Sequence, residues 1–270
     1  MKYKKIKDYY QKPYSIPIYS GTLAIESLLK IFNLEPTDRV LISSISCYSI
    51  LEAVLNANLT PVIATPQNGL LFTKDELQEI LKKENIKVYI AVHQYGYYQE
   101  FPIVKDIIVI EDYSQAWDLT MKNTDYADYI IISLGATKPL SNGIGGLILS
   151  NKDITTAFDL KTKNQRYQET SLLETYYPLP INEKKLIKIA TRKVKKQRKF
   201  AKKLDKVLQE FSDIHVVIPN NVLPSYHRYV IEVEDKLKEQ MQRILDSADL
   251  KYQLEFKKNK KIPKKDEKLL

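Results

Sequence analysis

Apolar and polar residues follow two patterns along this chain. In the first, Val, Ile and Leu form short, nearly unbroken runs at 39–42, 60–64, 87–92, 106–110, 129–133 and 146–150. Such runs predict strands buried on both faces, as in a parallel or mostly parallel sheet covered by helices. In the second, apolar residues return at helical spacing. Leu23, Ala24, Leu28, Ile31 and Phe32 predict a helix over 22–32, and a similar pattern predicts another over 48–57. Leu77, Ile80 and Leu81 place a third over 74–83, with Thr73 as its N-cap. The connection 99–105 is too short for a full crossover helix, so that helix is reduced to a turn or the local topology is unusual.

From Glu183 the pattern changes. Apolar residues recur from Leu186 and Ile189 through Val207, Leu208 and Phe211, predicting a long helix with a strongly basic outer face. Strand-like 215–218, a turn at 219–221, strand-like 226–233, a helix over 235–247 and a possible strand at 252–256 then read as a small α+β unit. The expected fold is α/β: a mostly parallel, seven-stranded-type sheet between helices, with a reduced C-terminal α+β domain. The expected division is a large domain at 1–182, a small domain at 183–256 and a disordered basic tail at 257–270.

Composition narrows the setting. The chain has 270 residues, 44% of them hydrophobic, which suits a globular protein with a sizeable core. No apolar run is long enough to span a membrane, the basic start MKYKKIKDYY lacks a signal peptide's apolar stretch, and Cys47 is the single cysteine. These features suggest a reducing cytoplasm. The net charge of +9 concentrates at 184–206 and 257–268. No nucleic-acid recognition motif accompanies it, so a solvated basic face is expected, with no nucleic-acid or membrane partner and no metal.

Four features carry chemistry. In SGTLAIESLL, Gly21 permits a tight turn and Thr22 opens a helix, whose free N–H groups and positive end attract anions, with hydroxyls from Ser20 and Thr22. The same Ser-Gly-Thr is also a good generic helix start. In IIVIEDYSQA, Asp112 ends an apolar strand, where a carboxylate is costly unless it meets a cation or donors. In SLGATKPLSNGIGG, Lys138 follows another such strand, five residues after Ser133. VHQYG, with His93 and Tyr95, sits at a further strand end, where open sheets bind ligands. A phosphate site, a carboxylate and an amine are what pyridoxal phosphate requires, for its phosphate, its ring nitrogen and its aldehyde.

At these stretches, together with SISCYSILEAVLNANLTPV, the chain resembles the DegT/StrS sugar aminotransferases, which have the aspartate aminotransferase-like fold. The match runs from Ser20 to Ser150 and is weaker beyond, where PSYHRYVIEVED is similar to the family's small domain. The resemblance implies that Lys138 forms the Schiff base with pyridoxal 5'-phosphate and Asp112 pairs with its ring nitrogen. It implies that Gln115 lies beside the ring, and that Gly21, Thr22 and Ser133 hold the phosphate. Cys47 stands where many members stack an aromatic residue. It is read as a buried thiol contacting the ring, with a nucleophile as the sharper alternative. The family's Gly-Tyr-Asn-x-Arg stretch is missing near 176–182, leaving Asn182 as a positional candidate, and the chain reads as an abbreviated member.

The implied activity is transamination of a keto-sugar, nucleotide-linked, with glutamate as donor. Lys138 argues against the family's dehydratase variant, which usually has histidine there. The alternatives are a shortened, non-catalytic relative used for binding or regulation, or another pyridoxal-phosphate reaction. A homodimer is expected, with contacts at the helix face 28–32 and the loop 176–180. Arg166, Arg192 and Arg198 would either attract an anionic substrate or only solvate helix surfaces.

Overall fold

The computed structural model describes residues 4–67, 69–118, 127–154, 182–210, 214–216 and 222–247. Seven strands form the central sheet: β1 (Tyr14–Ile18), β2 (Arg39–Ser43), β3 (Thr60–Ala64), β4 (Ile86–Val92), β5 (Ile108–Asp112), β6 (Tyr129–Ser133) and β7 (Gly146–Ser150). Their spatial order is β1-β7-β6-β5-β4-β2-β3. The pairs among β2 to β6 are parallel, whereas β7 runs antiparallel to both β1 and β6.

Alternate residues of each strand feed opposite faces, as strand pleating requires. Val88 and Ile90 join Val40, Ile42, Ile131 and Ile148 in one core, against α2 (Gly21–Ile31) and α3 (Tyr48–Asn56). Tyr89 and Ala91 join Leu41, Ile130 and Leu147 in the other, against α1 (Lys4–Tyr9), α4 (Lys74–Lys83) and the first half of α5 (Glu183–Leu208). The α4 start is a full capping box: Thr73 Oγ1 accepts from Glu76 N and a Glu76 carboxylate oxygen accepts from Thr73 N.

Several expected boundaries shift. α1 and β1 are elements that the sequence pattern did not predict; Pro17 interrupts the strand signal but is tolerated in β1, an edge strand paired only with β7. β5 begins at Ile108 rather than 106, because Asp106 turns the chain with φ 62. The β4–β5 connection holds no α-helix: after a short 3₁₀ turn at Gln94–Gly96 the chain is irregular. Gln99, buried within it, takes the Phe72 N–H at 3.0 Å and donates to the Phe72 carbonyl at 2.9 Å, tying the connection to the segment before α4.

In the C-terminal part, β8 (Ile214–Val216) pairs antiparallel with β9 (Ile231–Val233), followed by α6 (Lys238–Ser247). The expected strand at 226–233 survives only as β9. Tyr226 lies in the left-handed region with φ 50, and the N–H groups of Ser225 and Arg228 bond to the Gly96 and Tyr95 carbonyls instead of a strand. The expected turn at 219–221, strand at 252–256 and tail at 257–270 lie outside the described residues.

Candidate functional site

β1, β2, β4, β5 and β6 all end at the same edge of the sheet, and the chemistry-bearing turns collect there. Ser20 is the N-cap of α2, its oxygen accepting the Leu23 N–H at 3.1 Å, while its carbonyl takes the Ala24 N–H. That leaves the N–H groups of Gly21 and Thr22 at the positive end of an 11-residue helix. Ser20, read as a possible anion donor, thus serves first as a cap. A Cβ on Gly21 would lie 3.0 Å from Ser133 Cβ and 3.2 Å from Ser114 Oγ, so only glycine keeps this bed open.

Asp112 ends β5 and is buried; its Oδ1 accepts the Ser114 N–H at 2.8 Å. Ser114 Oγ in turn accepts the Ser133 N–H at 3.1 Å, linking the ends of β5 and β6. Lys138 follows β6 in a tight turn, with its N–H on the Gly135 carbonyl at 3.0 Å. Its Cγ would lie 3.8 Å from a Cβ at Gly135, and the residue is half-buried. Gln115 turns to the neighbouring strand end, accepting the Tyr95 N–H at 3.1 Å. Gly21, Asp112, Ser133 and Lys138 are therefore gathered through Ser114 and Gly135, with Gln115 bracing the adjacent loop.

The glycines after Lys138 serve close packing and turns. A Cβ on Gly146 would come within 2.8 Å of Ser20 C and 2.9 Å of its oxygen, so this glycine admits the Ser20–Gly21 backbone. Gly143 and Gly145 supply left-handed turns, with φ 91 and 108.

Other readings are corrected. Cys47 is exposed, not buried: it is the N-cap of α3 at the sheet's carboxyl edge, and Ser49 Oγ donates to its Sγ at 3.1 Å. His93 packs in the core against the Tyr98 and Tyr113 rings. It is fully buried, with Nδ1 accepting the Gln99 N–H and Nε2 lying 3.4 Å from the buried Glu111 carboxylate. Leu28 and Leu29, in the expected dimer face at 28–32, are buried in the core, whereas Lys30 is exposed and Ile31 and Phe32 are half-buried. Arg198 is committed inside the protein, to the Asp118 carboxylate at 3.0 Å and the Pro224 carbonyl at 2.9 Å. Asn182 caps α5, its Oδ1 accepting the Lys185 N–H. Arg166 and 176–180 lie outside the described residues.

The sequence reading missed two residues. Ser114 is one; a hydroxyl two residues after an acid is too common in turns to stand out. The other is His227, which lies near Lys138. Burial first, then the charges of Lys193, Lys138 and Arg228, push its imidazole down to about 4, and its buried Nδ1 has no hydrogen-bond partner among the described residues.

These parts fit pyridoxal phosphate. A small-residue bed at a helix N-terminus suits a phosphate, a buried carboxylate suits a protonated ring nitrogen, and a half-buried amine suits an aldehyde.

Comparison with known proteins agrees with this chemistry. Two GDP-perosamine synthases are similar to this chain, one from Vibrio cholerae (23% identical over 158 residues) and one from Caulobacter vibrioides (27% over 160). The matched stretch covers 55% and 56% of this chain and 43% of each relative. Among solved structures, the sugar aminotransferase CalS13 from Micromonospora echinospora superposes with TM-score 0.69 at 18% identity, over 90% of this chain and 74% of that one. NtdA from Bacillus subtilis, solved with bound cofactor PMP, gives TM-score 0.68 at 20% identity, over 90% and 60%. The fold is that of these aminotransferases. The sequence pattern of one family matches residues 3–170, more than half of the chain, and this protein belongs to it: the DegT/DnrJ/EryC1/StrS aminotransferase family.

Proposed function

We propose that this protein binds pyridoxal phosphate and transfers an amino group from an amino acid, glutamate, to a keto-sugar carried on a nucleotide. The observation that supports this reading is the meeting of the Lys138 amine, the Asp112 carboxylate and the Gly21–Ser133 bed at one sheet edge. When bound, pyridoxal phosphate supplies the electron-withdrawing ring that amino transfer needs.

The chain's own residues supply the rest. Lys138 tethers the cofactor and, once displaced, its Nζ moves a proton to or from the substrate carbon. Asp112, held by the Ser114 N–H, keeps a proton on the ring nitrogen. The N–H groups of Gly21 and Thr22 and the Ser133 hydroxyl hold the phosphate. Gln115 lies beside the ring, its Oε1 held on the Tyr95 N–H. Cys47, at the same edge, offers its thiol as a contact on the ring. In this reading residues 1–182 hold the cofactor and 183–256 close the site, the working unit is a cytoplasmic homodimer, and the nucleotide sugar fits the GDP-perosamine synthases to which the chain is similar.

The test is spectroscopic and then chemical. Protein loaded with pyridoxal phosphate should show a visible band that glutamate bleaches, with release of 2-oxoglutarate. A GDP-linked keto-sugar should restore the band and yield an amino sugar. No band on loading, or a band that glutamate leaves unchanged, would overturn the reading.

A further inference from the structure

Helix α5 buries Leu186, Ala190, Val194 and Ala201 and turns the rest of its surface outward. Eleven of its twelve lysines and arginines are exposed, ten of the eleven being lysines; the exception is Arg198. Its two acids are occupied inward: Glu183 accepts the N–H groups of Lys5 and Ile6, and Asp205 accepts from the Tyr229 hydroxyl. Among the described residues no carboxylate pairs with any of the eleven. Exposed Lys4 and Lys5 on α1 extend the charge at the helix start.

Three large apolar side chains on the same helix are also exposed: Ile189 at 52%, Phe200 at 55% and Val207 at 54%. Their spacing returns them within about 20° of each other on the helix, so they form one row along the flank of the basic face. The sequence alone suggested a merely solvated face, but solvation does not account for an aligned apolar row.

We propose that this face of α5 docks the protein on an anionic lipid surface. A lysine-rich face beside a row of apolar side chains is the architecture of a helix lying in a membrane interface, cations at the headgroup phosphates and apolar groups below them. No described helix is long and apolar enough to cross a membrane, so the contact is peripheral. Duplex nucleic acid would also attract the cations, but its phosphate backbone would leave Ile189, Phe200 and Val207 without an apolar environment. The face is also poor in arginine, whose planar fork suits phosphate pairs. A second copy of the chain would present the same charge and be repelled.

The experiment is co-sedimentation of the full chain with vesicles of phosphatidylcholine alone or mixed with phosphatidylglycerol, at low and high salt. Binding is expected only to the mixed vesicles, weakening as salt rises. The variant Lys195→Glu/Lys199→Glu/Lys202→Glu should bind on the order of 100-fold more weakly. The variant Ile189→Ser/Phe200→Ser should lose about tenfold while keeping the salt dependence. Thermal unfolding followed by circular dichroism checks that both variants are folded. No binding to mixed vesicles, equal binding to both compositions, wild-type binding by the charge-reversed variant, or capture by duplex DNA with no vesicle binding would each overturn the proposal.

Discussion

Gln115 Oε1 accepts the backbone N–H of Tyr95 at 3.1 Å. Tyr95 is left-handed, with φ 55, and its carbonyl accepts the Arg228 N–H at 3.2 Å while the Arg228 guanidinium lies 5.6 Å from its ring centre. One tyrosine thus joins the end of β5, the end of β4 and the C-terminal segment. A non-glycine residue in that backbone region costs on the order of 1 kcal/mol or more, and these partners hold it there.

The neighbouring Gly96 should tolerate nothing larger. With φ 86, it packs so closely that an added Cβ would meet Ser225 Oγ and come within 2.9 Å of His227 N. Gly96→Ala is expected to cost roughly 2–4 kcal/mol and to expose the 225–230 segment to hydrogen exchange. Unchanged urea stability would refute this packing.

His227 should make stability depend on acidity. Its folded pKa is lowered to about 4, against about 6.5 for an unfolded histidine. The unfolded chain therefore binds the extra proton first as pH falls, so this contribution is present above pH ~6.5 and lost towards pH ~4. Between pH ~7 and ~5 the loss should be on the order of 1–2 kcal/mol. Urea midpoints for the wild type and His227→Asn at both pH values check this. Parallel slopes in the two proteins would remove His227 as the cause.

Lys138→Ala should fold, since the side chain is half-buried and its backbone bond to Gly135 remains. Its visible band should be absent and its amino transfer lower by at least about a thousandfold. Borohydride treatment of the wild type should leave the reduced cofactor on the peptide containing Lys138. Label on another lysine would reassign the tether.

Glu111→Ala should be costly although Glu111 points to the opposite face of β5 from Asp112. It removes the buried carboxylate that lies 3.4 Å from the fully buried His93 Nε2, and a buried polar group deprived of its neighbour costs roughly 1–3 kcal/mol. Equilibrium unfolding measures this directly, and a loss below ~1 kcal/mol would mean that the pair contributes little.

Much of the fold could be read from local chemistry. Unbroken Val and Ile runs marked the central strands, and Thr73 with Glu76 announced α4 because the capping box is wholly local. β1 escaped notice because its pairing with β7 comes from a distant part of the chain and Pro17 hides its pattern. The left-handed Tyr226 escaped for a similar reason, since the bonds that hold its segment come from distant Tyr95 and Gly96. Asp112 and Lys138 stood out as charges at apolar strand ends. Leu28 was misread because an apolar helix stripe looks the same whether it meets a sheet or another subunit.

The close fit of Gly146 under the Ser20–Gly21 backbone has a consequence for how the molecule comes into being. The first turn of the phosphate bed belongs to the start of the chain, yet the strand that seats it is made much later. During synthesis, α2 leaves the ribosome with its N-terminal groups unsupported until β7 inserts between β1 and β6. Non-local pairing of this kind closes slowly. The Ser20–Gly21 turn therefore takes its final seat in one late step, when the two distant segments lock, and in the proposed reading a nascent chain ending before β7 carries Lys138 and Asp112 but lacks the strand that seats the phosphate bed.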